Sequence, residues 1–400
     1  MKKILLLGGA NQQIVVIETA KRLCDYTILC DFLIDNPGQY HSDKFYLVST
    51  TNKEAVLEIA KKEQIDGVLA YASDPAAPTA AYVAEKLGLP GNPYDSVSIL
   101  CNKDCFRHFL LEHGFNTPKA KGYSFTKDAL AELGSCHLPI IIKPADSSGS
   151  KGTTVLYTHG KDKDAISFAF SFSRSHRIII EEYIEKKHPY LIGGDIFVVN
   201  GKIVLWGLMN CHRDQNVNPL VPVGKSYPME VEDTDVDRIK ETLQRMVSEL
   251  HIENGALNIE LVIDKNGLIW PIDIGPRSGG NMIPELLGYI FGIDIPEMCV
   301  KAAMGVQIET KIGVGTPFYA THNLHAVQNG IYQGVNFAAE LERHIIKKCI
   351  YKKPGDHIEY FDNASKALGI IFLKFENKKQ MKNILNNIES YITIHLSCGE

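Results

Sequence analysis

Glu260, Asp273 and Arg277 are the side chains whose types and spacing could do the most chemistry. The stretch from Ala256 to Arg277 reads as a β-hairpin turning at Asn266-Gly267, a pair suited to a two-residue loop in which both positions need positive φ. With that loop, Lys265 faces Leu268, Ile259 meets Ile274, Leu261 meets Ile272 and Ile263 meets Trp270, so one face is apolar. On the other face Glu260 lands opposite Asp273, and Arg277 points the same way four residues on. Opposed carboxylates repel unless a cation sits between them. The pattern predicts a site for a hard divalent ion, Mg²⁺ or Mn²⁺, held by Glu260 and Asp273. Paired acids on a hairpin are often simply hydrated, so their company decides the reading.

That company lies upstream. Pro139-Ile-Ile-Ile-Lys143-Pro144 puts a lysine at the end of an apolar strand, where it needs a partner, and an anion suits it. The run Ser147-Ser148-Gly149-Ser150-Lys151-Gly152 offers hydroxyls and backbone N–H groups that can close over phosphate oxygens. It connects strand to strand, which sets it apart from the phosphate loop that opens a helix. Arg177-Ile-Ile-Ile-Glu181-Glu182-Tyr183-Ile184 is a strand ending in acids and an aromatic, a terminus able to read a purine edge. Arg213, in the polar loop 210–216, reads equally as a clamp for a substrate carboxylate or as a solvated arginine. His322 and His325 have ligand-like spacing, but a pair lacking a third ligand is more often structural.

The elements that must position these groups follow from periodicity. Strand and helix alternate over the first 100 residues: strands Ile4–Leu7, Tyr26–Cys30 and Gly67–Tyr71, helices Gln13–Cys24, Lys53–Glu63 and Ala76–Leu87. Alternation of this kind predicts a doubly wound parallel sheet whose loops, Gly8 to Gln12 and Ser73-Asp74-Pro75 among them, converge on one crevice. The glycine turn lacks dinucleotide-binding spacing. A helix from about Asn102 to Glu112 opens a strand-rich block, with strands at 140–143, 153–157, 178–182, 196–199 and 203–209, a turn at Asn200-Gly201 and a helix near Val236–Leu250. The last residues hold a strand (368–375), a lysine-rich helix (378–390) and a strand (391–396). The expected class is α/β and α+β multidomain.

Composition removes several functions. A net charge of −5 without a basic run argues against a nucleic-acid partner. The apolar run after Met1 is four residues long and no stretch has the length of a membrane span, so a membrane partner is not expected. Nine scattered cysteines without zinc-ligand pairing suggest reduced thiols and a cytoplasmic setting.

From Asn102 to about Gly305 the order of these pieces resembles the ATP-grasp superfamily, in particular carboxylate–amine (or carboxylate–thiol) ligases of the carbamoyl-phosphate-synthase-like and L-amino-acid-ligase-like kind. The resemblance rests on Asn102-Lys103-Asp104 with Gly114-Phe-Asn-Thr-Pro118, on Lys143-Pro144 with the 147–152 loop, on 181–184, and on the Glu260 and Asp273 strands with Pro276-Arg277. It implies three parts: a substrate domain (1–100), a nucleotide- and metal-binding ATP-grasp domain (101–305, with a small lid at about 115–185) and a C-terminal α+β closing subdomain (306–400). Lys103 and Lys143 would contact ATP phosphates. Residues 148–152 (Ser148, Gly149, Ser150, Lys151, Gly152) would form a mobile flap. Glu181 would accept from the adenine amino group, the backbone of Glu182, Tyr183 and Ile184 would read the ring, and His188 or Asp195 would hold the ribose.

Arg277 would stabilise the transferring phosphoryl group with Lys143 as its catalytic partner, and Ser278, Gly279 and Asn281 would line the acceptor side. The chain departs from the family pattern at Asp273, where Glu is commoner, and at Gly275, where an Asn ligand is usual. The implied reaction is ATP-dependent coupling of a small carboxylate to an amine through an acyl phosphate. The same site passing phosphate to another acceptor would be a kinase, and one without turnover a nucleotide sensor. A homodimer is implied by resemblance alone.

Overall fold

The computed structural model describes residues 1–134, 136–147 and 149–397. Strands β1 (Lys3–Leu7), β2 (Tyr26–Asp31), β3 (Lys44–Leu47) and β4 (Gly67–Leu69) form a parallel sheet in the order β3-β2-β1-β4. β1 is apolar and buried from Ile4 to Leu7 because both of its faces are covered there. Leu5 and Leu7 pack with Val56, Leu57 and Ala60 of helix Lys53–Glu63, while Ile4 and Leu6 pack with Val16 and Ile17 of helix Ile14–Leu23. That is the doubly wound arrangement expected. The edge strand β3 has no buried residue and left no periodic signal.

A second sheet, antiparallel, follows: β5 (Ala120–Tyr123), β6 (Ile140–Pro144), β7 (Thr154–Leu156) and β8 (Ile178–Glu182), in the order β5-β8-β6-β7. Helices Thr126–Leu133 and Asp162–Ser171 cover one face through Ala129, Leu133, Ala165, Ile166 and Ala169.

Beyond this sheet come β9 (Leu191–Val199), β10 (Lys202–Arg213), β11 (Pro222–Tyr227), β12 (Asn254–Ile263), β13 (Ile269–Gly275), β14 (Tyr319–Leu324), β15 (Gly330–Phe337), β16 (Ile345–Ile350), β17 (His357–Ile358), β18 (Gly369–Lys374) and β19 (Ile392–Ser397). Eight of them form one antiparallel sheet, β13-β12-β9-β10-β11-β14-β18-β16, and β17-β15-β19 form a small one. The large sheet is continuous across residue 305, so the C-terminal strands extend the surface that carries the paired acids. The C-terminal helix is shorter than expected: it ends at Leu385, and Ile388–Tyr391 is a separate 3₁₀ turn. Among the described residues no helix is long and apolar enough to cross a membrane.

The two Asn-Gly turns diverge. Asn200 and Gly201 both have positive φ, 49° and 71°, and join β9 to β10 as a two-residue loop with Val199 opposite Lys202. At the second, only Gly267 has positive φ (76°). Gly267 N–H donates to Asp264 O (2.9 Å) and Asp264 N–H donates to Leu268 O (3.1 Å), so the loop is three residues with a glycine bulge. The Asp264 carboxylate selects it, accepting from the N–H groups of Asn266 and Leu268 (both 2.9 Å). The expected register is therefore wrong near the turn: Ile263 meets Ile269, and Leu261 meets Pro271. A bulge between Glu260 and Leu261 restores it, and Glu260 stands opposite Asp273 as expected.

Candidate active site

The acid pair is balanced by basic side chains from other elements. Arg213 Nη2, at the end of β10, lies 3.4 Å from Glu260 Oε1, and Lys103 Nζ, on helix Lys103–Glu112, lies 3.4 Å from Asp273 Oδ2. Lys103 Nζ also donates to Ser147 O at 2.9 Å, tying the hairpin to the small-residue loop. Burial pushes the Glu260 carboxyl up, but Arg213, Lys225 and Lys103 hold it below the usual range, so it is ionised at neutral pH. Two carboxylates suit Mg²⁺ or Mn²⁺. Lys225 on β11, buried with Nζ 2.7 Å from Cys211 Sγ, is a cleft cation that sequence reasoning missed.

Arg277 follows β13, and its guanidinium pairs with Asp74 from the loop after β4 while Nη1 donates to Ser278 O (3.0 Å). A Cβ on Gly275 would meet Asp74 Oδ1 at 2.6 Å. The space of the expected Asn side chain is thus filled by a carboxylate from the first domain. Burial opposes the charge of Arg277, but Asp74, Asp195 and Asp273 more than offset it.

The glycine turn after Arg277 is pinned from below. Asp195, fully buried on β9, accepts from Gly279 N–H and Asn258 Nδ2, each at 2.8 Å. This places Asp195 under the turn, fully buried and outside the lining of the cleft, so the expected contact with a ribose hydroxyl is not available to it. Gly279 is spent on that bond, and Ser278 turns to Cys299 (Oγ–Sγ 3.2 Å). Neither lines the cleft, whereas Asn281 and Arg213 do. Burial raises the Asp195 carboxyl to about 6, against the pull of Gly279, Asn258 and Arg277. Between about pH 4 and pH 6 the folded chain keeps a proton the unfolded chain has lost, so this group lowers stability as pH rises through that window. Urea unfolding between pH 4 and pH 6.5 should show that decline, on the order of 2–3 kcal/mol, and Asp195→Asn should flatten it.

Lys143 ends β6 as expected, buried, and its partner is internal: Nζ pairs with Glu181 on β8. Arg107 Nε donates to Glu181 Oε2 (3.0 Å) and its Nη2 to Ile272 O (2.8 Å). Burial alone would raise the Glu181 carboxyl, but Arg107 and Lys143 hold it at about 2. Burial lowers Lys143, aided by Arg107 and Lys103 and opposed by Glu181. Arg107 was missed from sequence. Its signal is the four-residue spacing from Lys103, which puts both cations on one helix face.

Glu182, Tyr183 and Ile184 line the same cleft. The N–H groups of Glu182 and Tyr183 are committed to the carbonyls of Lys119 (2.9 Å) and Pro139 (3.2 Å), which moves any base-edge donation to Ile184 and beyond. His188 is half-buried with Nε2 lacking a hydrogen bond and does not line the cleft, unlike Lys186 and Tyr190 beside it. In the flap, Gly149, Ser150 and Gly152 have positive φ, and Ser150 Oγ donates to Leu220 O at 2.8 Å. Ser148 lies outside the described residues.

Lys103, Lys143, Arg213, Lys225, Glu260, Asp273 and Arg277 border one cleft of about 1290 Å³, running from Tyr183 past the acid pair to Gln12 and Asp74. Arg213 Nε and Arg277 Nε are buried along it without a hydrogen-bond partner. Such donors cost on the order of 1–3 kcal/mol each unless an acceptor, such as a phosphate or carboxylate oxygen, meets them.

Residues 136–285 match the family model of the ATP-grasp domain. Over 272 residues, 67% of the chain, the sequence is 25% identical to the carbamoyl phosphate synthase large chain of Pseudothermotoga lettingae. The chain spans about a quarter of the length of that relative, 24%. Among solved structures, the L-amino acid ligase from Bacillus licheniformis superposes with a TM-score of 0.82, at 18% identity and with 99% of each chain covered. Phosphoribosylglycinamide synthetase from Anaerococcus prevotii superposes with a TM-score of 0.74, at 21% identity, covering 99% of this chain and 100% of its own. At these identities the superpositions establish a common fold.

Proposed function

We propose that this chain, which carries an ATP-grasp domain, activates a small carboxylate with ATP and couples it to an amine, releasing ADP and phosphate. The observation that carries the reading is the convergence of Glu260, Asp273, Arg277, Lys103 and Lys143 on one cleft that reaches the first domain's loops. In this reading residues 1–100 would serve as substrate domain, 101–305 as ATP-grasp domain with its lid, and 306–400 as the closing C-terminal unit.

Glu260 and Asp273 would hold Mg²⁺, which supplies charge neutralisation at the phosphate oxygens. Lys103 and Arg213, now paired with those acids, are placed to turn to phosphate or carboxylate oxygens when nucleotide and substrate enter. The substrate carboxylate oxygen attacks the γ-phosphorus of ATP, the bond to the bridging oxygen breaks, and ADP leaves. Arg277, oriented by Asp74, donates to the phosphoryl oxygens as charge builds there. The amine then attacks the acyl carbon, phosphate departs with the bonding pair, and the ammonium product loses a proton. An acyl phosphate hydrolyses in water, so Ser150 and its flap serve to exclude it.

The test is ADP release with Mg²⁺ across amino acids and sugar acids, each with and without a panel of amines. The expected outcome is turnover for a carboxylate–amine pair, with one phosphate freed per ADP. Phosphate retained on an acceptor would make the chain a kinase, and absence of turnover with any carboxylate would sink the ligase reading.

A further inference from the structure

His322 and His325 are four-fifths of the way along the chain, outside the nucleotide cleft, and the third ligand missing from the sequence is supplied by the fold. Three residues apart on a continuing strand, they would face opposite sides. β14 ends at Leu324, and the bend brings the two rings together, centroids 5.6 Å apart and both side chains buried. Glu389, on the Ile388–Tyr391 turn, reaches them from the C-terminal end: its Oε1 lies 3.2 Å from His322 Nε2 and 3.8 Å from His325 Nε2. Asp214, next to Arg213, brings Oδ2 to 3.1 Å from His325 Nε2.

Hydrogen bonding decides what these atoms are doing. His325 Nδ1 lies 2.7 Å from Asn323 O, a carbonyl that can only accept, so Nδ1 carries the proton. Nε2, the other ring nitrogen, faces two carboxylates. His322 Nε2 is buried, with Glu389 Oε1 3.2 Å away. Two ring nitrogens and two carboxylates converge here, and positive charge must hold them together, as protons on the rings or as one metal ion. The ligand atoms of His322, His325 and Glu389 lie within 4.8 Å of one another, and with metal–ligand bonds of about 2.0–2.1 Å, which set neighbouring atoms of a tetrahedron about 3.3 Å apart, small side-chain shifts close the set. A carbonyl that fixes the tautomer of a ligating imidazole is the usual outer support of such a site.

We propose that His322, His325 and Glu389 bind a transition-metal ion of the Zn²⁺ class, with Asp214 beside His325. Imidazole nitrogens disfavour Mg²⁺, so this centre is chemically distinct from the Glu260–Asp273 pair. It is structural in purpose. It joins β14, the 388–391 turn and the loop that runs from Arg213 to Leu220, whose carbonyl grips Ser150 of the flap. The ion thereby fixes the segment that carries Arg213. The proposal stands whether or not the ligase reading does.

The full chain, stripped with chelator, is loaded with ZnSO₄, desalted and assayed for metal, with Co²⁺ as a spectroscopic probe in parallel. One equivalent of zinc and the visible ligand-field bands of four-coordinate Co²⁺ are expected. Both should persist in the Glu260→Gln/Asp273→Asn double variant. His322→Ala, His325→Ala and Glu389→Ala should lose stoichiometric metal, and Asp214→Asn should weaken binding about 10–100-fold. Wild-type chain that retains no zinc and shows no such bands overturns the proposal. So does NMR showing both imidazoles doubly protonated with zinc present, which would mark an imidazolium–carboxylate cluster instead.

Discussion

Arg277→Ala should lower kcat for ADP release about 10²–10³-fold while leaving ATP binding nearly unchanged, the size of effect seen when one preorganised donor to a developing anion is removed. The guanidinium is buried, its Nε lacks a partner, and Asp74 holds it over the end of β13. Arg277→Lys should fail almost as badly, because one ammonium cannot both keep Asp74 and reach a second oxygen in a fixed fork. Asp74→Asn preserves shape but removes the charge that orients the arginine, so a smaller drop in kcat is expected, about tenfold. Steady-state kinetics together with ATP titration separates these cases. An Arg277→Ala enzyme with intact kcat and weakened ATP binding would show that Arg277 only anchors nucleotide.

Arg107→Ala should be the most destabilising single change at the site, on the order of 3–5 kcal/mol, because it strands part of a buried ionic triad. Arg107, Lys143 and Glu181 are all buried, and Arg107 also caps the Ile272 carbonyl in the bulged strand. Removing it leaves Glu181 with Lys143 alone and leaves Ile272 O without that donor. A double variant, Arg107→Met/Glu181→Leu, should cost less than the sum of its single changes, since the stranded charge is gone. The sign with pH is fixed by Glu181. Its folded carboxyl is held at about 2, below the unfolded value near 4.3. The contribution is therefore full above about pH 5 and fades as pH falls toward 2. Scanning calorimetry of wild type and Arg107→Ala should show the gap narrowing in acid. A gap that stays constant down to pH 3 would show that packing, and not charge, carries the loss.

The parts of the fold with strong periodicity were legible in the sequence. β1 reads as buried because both its faces are, and helix Lys53–Glu63 carries its own cap, Asn52 accepting from Ala55 N–H at 3.2 Å. β3 left no trace because an edge strand with mixed exposure has no pattern to read. The Glu260–Asp273 pairing was found although its loop was misread. Asp264 holds a three-residue turn, which shifts the register by one, and the bulge at Glu260 shifts it back. Local propensity could reveal neither, since both depend on hydrogen bonds made after the strands meet. Gly275 read as a missing ligand because the sequence cannot show that Asp74, about 200 positions earlier, occupies its space. Arg107 and Lys225 were overlooked for the same reason: their burial is decided by strands far away in the chain. His322 and His325 were set aside for want of a third ligand that arrives from residue 389.

The central claim is that a carboxylate oxygen attacks phosphorus before the amine attacks carbon. It is tested most directly by running the reaction with the substrate carboxylate labelled in both oxygens with ¹⁸O and reading the released phosphate by mass spectrometry. The expected result is one ¹⁸O in each phosphate, carried over when the acyl phosphate is cleaved at carbon. Phosphate without label, formed at the same rate as product, would contradict an acyl phosphate and with it the ligase assignment.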